Sequence, residues 1–246
     1  MAPKSHTLFH FTQTKETLKL MFKNGFWPRY CLEDIRWVNQ DDADYMAFPM
    51  VCFCDIPLSR ISEHVGFYGY YGLGMTKEWA NANGLNPILY LASDNNLMAE
   101  TRALNYHAHR CSEKEEISAA KDTMRYLYMH IKPSDGNMIV DGQPVEKEFY
   151  QESEWRYVPK NGSIEAYLTK AKFDDQDQLQ AANVATKEHA SLKFSPKDVK
   201  YIFVKNDADI PDMINFIQND LDFHLAADLK VLMSRVVSLE SIQADL

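Results

Sequence analysis

The stretch Val51–Trp79 reads VCFCDIPLSRISEHVGFYGYYGLGMTKEW and concentrates more chemically particular residues than any other part of the chain. Its opening apolar run, Val51 to Cys54, has strand character. Asp55 and Pro57 turn the chain out of that strand, because proline fixes φ and has no N–H to give a ladder. A short polar segment carrying His64 follows. Phe67, Tyr68, Tyr70 and Tyr71 are then interleaved with Gly66, Gly69, Gly72 and Gly74, four of the chain's nine glycines. Glycine lets a backbone or a ligand approach closely. The cluster therefore reads either as a wall of tyrosine rings suited to a flat ligand such as a nucleobase or nicotinamide, or as a tight β-meander with ordinary core tyrosines. Thr76 opens a capping-box pattern, T-K-E-W, for a helix through about Asn83, which Gly84 stops.

Upstream, LFHFT alternates as a strand with Leu8, His10 and Thr12 on one face and Phe9 and Phe11 on the other. Thr14 is a plausible cap for a helix with Leu18, Met21 and Phe22 at helical spacing, and Asn24-Gly25 ends it. From Phe26 to Pro49 no period is visible, which predicts a long, partly ordered loop rich in Trp27, Arg29, Tyr30, Arg36, Trp37 and Tyr45. Long irregular connections in compact domains tend to carry function.

Downstream, Asn86-Pro87 leads into PILYLAS, an apolar run predicted to be a buried strand. Residues 95–132 form the longest helical tract, a helical insertion in a single domain spanning 1–246, with Ser112 and Glu115 as a second helix start. Pro133 to Gly136 signals a turn, and NMIVDGQPVEKEFYQESEWRYVP predicts two strands joined at Asp141-Gly142. On the second, Glu152, Glu154 and Arg156 share one face. The acidic run Asp174, Asp175, Asp177 reads as a solvated loop. A late strand, Tyr201 to Val204, precedes a helix that starts between Asp209 and Pro211, with Ile214, Ile217 and Leu221 on one stripe, and a last amphipathic helix begins near Leu225.

The net charge of −9 removes bulk electrostatic attraction to nucleic acid, although base stacking on the tyrosines needs no net positive charge. No apolar run reaches the roughly 18 residues of a membrane span and the N-terminus lacks a signal-peptide core, so a cytoplasmic protein without membrane partners is expected. Cys52 and Cys54 fall on one strand face near His64, but no second pair completes a four-ligand zinc site, and no metal is expected.

Three features thus follow in chain order: His10, the tyrosine-glycine cluster, and E-S-E-W-R at 152–156. That order resembles the His, Tyr, Glu series of the ADP-ribosyltransferase fold and of DarT-type DNA-modifying relatives. FCDIPLS, then H-x-x-x-Y-G-x-Y-G-x-G, K-x-W and E-x-E-W-R resemble more closely the AbiGi-type abortive-infection family, linked to phage resistance and described in places as the antitoxin half of a pair. The resemblance runs from about residue 7 to 158, with an echo in F-S-P-x-D-V-x-Y-I-F-V.

It implies an α+β fold with an ADP-ribosyltransferase-like split mixed or antiparallel sheet and flanking helices. It further implies a phage-defence toxin that transfers ADP-ribose from NAD, as substrate, to a macromolecule such as RNA or DNA. His10 would hydrogen-bond the adenosine ribose of NAD, with Thr12 beside it in the cofactor site, and Tyr71 or Tyr68 would stack on the nicotinamide. Glu154 would stabilise the oxocarbenium-like cation as nicotinamide leaves, and Glu152 would activate the acceptor. The alternative is a non-catalytic antitoxin or sensor that binds a cognate partner protein.

Overall fold

The alternation of LFHFT is realised as the strand Thr7–Thr12, whose two faces enter two apolar layers. The computed structural model describes residues 6–38, 44–92, 95–110, 114–140 and 143–245, in a mixed α+β fold with flanking helices. The chain divides into two compact units: Met1–Trp27, Val51–Leu85 and Ser191–Leu246 form one, and Pro28–Met50 with Asn86–Ala190 the other.

In the first unit, Thr7–Thr12 pairs antiparallel with Tyr71–Thr76 along its whole length, from Thr7 opposite Thr76 to Thr12 opposite Tyr71. Its other edge meets the end of the strand Tyr45–Cys54, with Phe9 opposite Cys54. Tyr71–Thr76 pairs antiparallel in turn with Val199–Val204, which carries Val236–Ser238 in parallel, so the sheet is mixed. On one face Phe9 and Phe11 join Cys54, Ile56, Ile61, Val65, Phe203 and Leu239. On the other, His10 lies among the rings of Phe26 and Phe53, which also contact Trp79.

The tyrosine-glycine cluster is neither a meander nor a continuous irregular wall. The segment carrying His64 is a helix, Ile61–Tyr68, stopped by Gly69 at φ 111°, and the strand Tyr71–Thr76 follows. Gly72 is required because a Cβ there would come within 2.6 Å of the His10 carbonyl oxygen and of the Phe11 ring. The glycine density thus lets neighbouring rings close over a thin central strand.

The capped helices form as read. Thr14 accepts from the Thr17 N–H at the start of Lys15–Asn24, and Thr76 accepts from the Trp79 N–H at the start of Lys77–Ala82. Ile210–Asp220 buries Met213, Phe216 and Ile217, and Leu221 is buried just beyond it; Ile217 and Leu221 face the core as expected, while Ile214 is only half-buried and Met213 takes its place.

In the second unit, the expected loop over 26–49 is instead largely strand. Arg29–Asp34 pairs antiparallel with Tyr45–Met50, from Arg29 opposite Met50 to Asp34 opposite Tyr45, and Leu168–Thr169 pairs with Ala47 and Met46. Burial decides this: Tyr30, Ala47, Leu168 and Ala182 form a core, so the run YMAFPM carries no polar alternation to betray it.

The tract 95–132 supplies the helices Asn96–Ala108, capped by Asn95, and Lys114–Tyr128; Ser112 lies outside the described residues. PILYLAS enters two short strands, Asn86–Pro87, antiparallel to Trp155 and Arg156, and Leu89–Leu91, parallel to Ile131–Pro133; Ile88 and Leu91 are buried as expected, and Leu89 is exposed. Asp135–Val140 and Gln143–Glu148 form the expected hairpin, with Asp141 and Gly142 outside the described residues. The acidic run is a helix start rather than a loop: Asp175 accepts from the Asp177 and Gln178 N–H groups and caps Gln176–His189, where carboxylates favour the positive end of the helix dipole. No helix among the described residues is long and apolar enough to cross a membrane.

Candidate functional site

The segment FYQESEWRY does not run as one strand. Phe149–Glu152 is a 3₁₀ turn and Ser153 takes the left-handed conformation, φ 45° and ψ 54°, before the strand Glu154–Tyr157 begins. A left-handed residue breaks two-residue alternation, so Glu152 does not share the strand face of Glu154 and Arg156, contrary to the sequence reading.

Arg156 is completely buried and spends its donors inside the unit. Its Nε donates to Glu154 Oε1 at 2.6 Å, its Nη2 to Glu154 Oε2 at 3.3 Å and Glu33 Oε2 at 3.2 Å, and its Nη1 to the Met129 carbonyl at 2.8 Å. The planar guanidinium fork suits this multiple recognition in a way a lysine ammonium does not. Lys132 Nζ adds a contact of 3.5 Å to Glu154 Oε2 and sits 4.1 Å from the centre of the Phe149 ring. Glu152 is buried as well and accepts from Lys147 Nζ. Three carboxylates therefore meet three cations.

The electrostatics follow from that closure. Burial alone would lower the Lys132 pKa, but Glu33 and Glu154 hold it above its ordinary value. Cys31, two residues before Glu33 on Arg29–Asp34, has its thiol pushed up to about 11, chiefly by burial and then by Glu33. It is a poor nucleophile at neutral pH. Tyr90, whose hydroxyl accepts from the Glu154 N–H at 2.9 Å, is pushed up to about 12 by burial and the nearby Glu154 charge.

The other sequence-predicted residues lie in the first unit. His10 Nδ1 is 2.7 Å from the Cys52 carbonyl oxygen, which fixes the tautomer with Nδ1–H donating, and burial among aromatic rings lowers its pKa. Thr12 stands opposite Tyr71 at the end of the first strand. Tyr71 donates its hydroxyl to Asp209 Oδ2 at 3.0 Å, and burial together with that carboxylate raises its pKa. Tyr68 packs beside His64, ring centres 4.5 Å apart, against the Phe9 and Phe11 layer. Among the described residues, no group of three or more His, Cys, Asp or Glu is arranged to hold a metal ion.

Sequence reading missed Glu33, Lys132, Lys147 and Tyr90. The period-two placement of Cys31 and Glu33 was the available signal for the first, but it lay inside a segment with no overall period. Lys132 is the middle residue of the three-residue strand Ile131–Pro133, too short to show a pattern of its own.

A family model described as "Putative abortive phage resistance protein AbiGi, antitoxin" matches residues 24–205. A relative named "Abortive phage resistance protein AbiGi", from Lactococcus lactis subsp. cremoris, is 28% identical over 248 residues, covering 90% of this chain and 99% of the relative. No solved structure matches.

Proposed function

This chain belongs to the AbiGi family of abortive phage resistance proteins, and from that premise we propose that it is the antitoxin member of a defence pair, a non-catalytic protein that binds and silences a cognate toxin. The observation that carries this reading is the closure of the buried ion-pair network. A carboxylate that stabilises a departing oxocarbenium ion must face the positive charge developing on the substrate. Glu154 faces Arg156 and Lys132 instead, and Glu152 faces Lys147. The network makes a rigid scaffold, since breaking a buried pair leaves an uncompensated charge. The experiment is expression of the chain alone and together with the product of the gene neighbouring its own. Growth unaffected by the chain alone and restored in the pair is expected; toxicity of the chain alone overturns the reading.

The second reading is ADP-ribosyl transfer from NAD to a nucleic acid. What favours it is His10, a neutral imidazole of fixed tautomer whose Nε2 is left as an acceptor for a ribose hydroxyl. Incubation with labelled NAD and cell lysate tests it: label transfer that is abolished in a folded Glu154→Gln chain supports the transferase, and no transfer rejects it. A rise in melting temperature with NAD would report binding to the folded state independently of turnover.

A further inference from the structure

We propose that the outward face of the hairpin Asp135–Val140 and Gln143–Glu148, with the ring of Tyr150 at its base, is the docking surface for a basic protein partner; this rests on the antitoxin reading above. The register fixes which residues share a face. Asp135 stands opposite Glu148 and Gly136 opposite Lys147, and Glu146 lies two residues before Glu148. The inward face is occupied: a Cβ on Gly136 would meet the Phe149 ring at 3.1 Å, and Lys147 donates to Glu152. The outward face presents Asp135, Glu146 and Glu148, all exposed.

Among the described residues none of these three carboxylates forms an ion pair. Asp135 accepts only from the Ser134 hydroxyl, at 2.7 Å, and Glu148 from the Gln151 amide. Like charges directly opposed across an antiparallel pair oppose hairpin formation. A cationic partner surface removes that repulsion, whereas the phosphates of a nucleic acid would add to it, which favours a protein.

The second observation is Tyr150. The residue is 66% exposed yet held in place: its N–H donates to the Ser134 carbonyl at 3.1 Å, and its ring meets Tyr90 edge-on, centres 5.6 Å apart. Tyr90 is itself fixed by the Glu154 N–H, so the buried network presents the exposed ring rigidly. Rigid tyrosines are frequent interface hot spots, and an exposed ring two residues along the chain from Glu148 can accept an arginine by stacking. The surface also lies inside residues 24–205 shared with the family, while the exposed pair Phe223 and Leu225 lies beyond them.

The test uses the full chain with the product of the neighbouring gene as probe. A hairpin triple, D135K/E146K/E148K, and Tyr150→Ala are compared with a control triple, E63K/E78K/D222K, which moves net charge equally at exposed first-unit positions. Folding is checked by circular dichroism and thermal melting, binding by titration at low and high salt, and function by rescue of growth. The hairpin triple is expected to bind on the order of 100-fold more weakly and to lose rescue, because like-charge juxtaposition at an interface costs several kcal/mol. Tyr150→Ala weakens binding while remaining folded, and the control triple rescues as the native chain does. A folded hairpin triple that binds and rescues like the native chain overturns the docking surface alone. A native chain that rescues nothing overturns the antitoxin reading and this surface with it.

Discussion

Glu152 and Glu154 are separated by one residue, yet each closes a different buried ion pair: Glu152 with Lys147, and Glu154 with Arg156 and Lys132. The left-handed Ser153 between them is what sends the two carboxylates to different cations. Substitutions here therefore test architecture first, and any functional loss has to be read beside stability.

Glu154→Ala removes the carboxylate that accepts from two nitrogens of the fully buried Arg156 guanidinium and leaves it beside the more exposed Glu33. A loss of about 3 kcal/mol of unfolding free energy is expected, at the lower end for a broken buried pair. Glu154→Gln retains acceptor geometry and should lose less than Glu154→Ala. Denaturant titration of both variants checks the order; equal stability of Glu154→Ala and the native chain would show the network to be energetically idle.

Ser153 offers a backbone test. Glycine adopts φ 45° without steric cost but raises the entropy of the unfolded chain, so Ser153→Gly is expected within about 1 kcal/mol of native. Ser153→Val places a β-branched side chain in the left-handed region and should cost about 2 kcal/mol. The same denaturant measurement separates them, and a valine variant as stable as the glycine one would refute the assignment of strain.

Gly72→Ala is expected to destabilise by about 2 kcal/mol through overpacking, because the added methyl would stand 2.6 Å from both the His10 carbonyl oxygen and the Phe11 ring. Thermal melting gives the readout. No loss would mean that the central strand can move away from its neighbour.

Two histidines set an acid-side dependence. Burial lowers the pKa of His10 and of His130 below the ordinary 6.5. Below pH 6.5 the unfolded chain therefore binds more protons at these sites than the folded one, so their effect on stability appears as pH falls through that value and increases toward their folded pKa values. Stability should fall on acidification in that window. A double variant, His10→Gln with His130→Gln, should show a flatter profile there by denaturation at stepped pH, whereas an unchanged slope would place the dependence elsewhere.

Local signals proved readable where the chain's own backbone needs meet an unambiguous residue. Thr14 and Thr76 cap helices with their side chains, Gly25 ends one, and the alternation of LFHFT marks a strand. Of Tyr45–Cys54 only the end from Val51 was legible; its first part was hidden because nearly every residue in it is buried, which erases the two-residue period. Asp174 to Asp177 misled because a capping aspartate and a solvated one are the same letter. For the candidate site, Glu154 and Arg156 were legible as strand neighbours, but nothing in the letter S at 153 announces a positive φ. Glu33, Lys132 and Lys147 reach the network from three other strands, a convergence only tertiary structure reveals.

The thin glycine-bearing strand Tyr71–Thr76 has one further consequence, for the chain as it is synthesised. Its second pairing partner, Val199–Val204, leaves the ribosome only after all of Asn86–Ala190 has been made. Until then the nascent chain carries an open strand edge, with Gly72 and Gly74 offering no bulk to block a stray partner. The second unit has all its segments by Ala190, while the first must wait for the chain beyond Ser191. Yield in the cell should therefore depend on chaperone capacity during that interval more than on the stability of the finished fold.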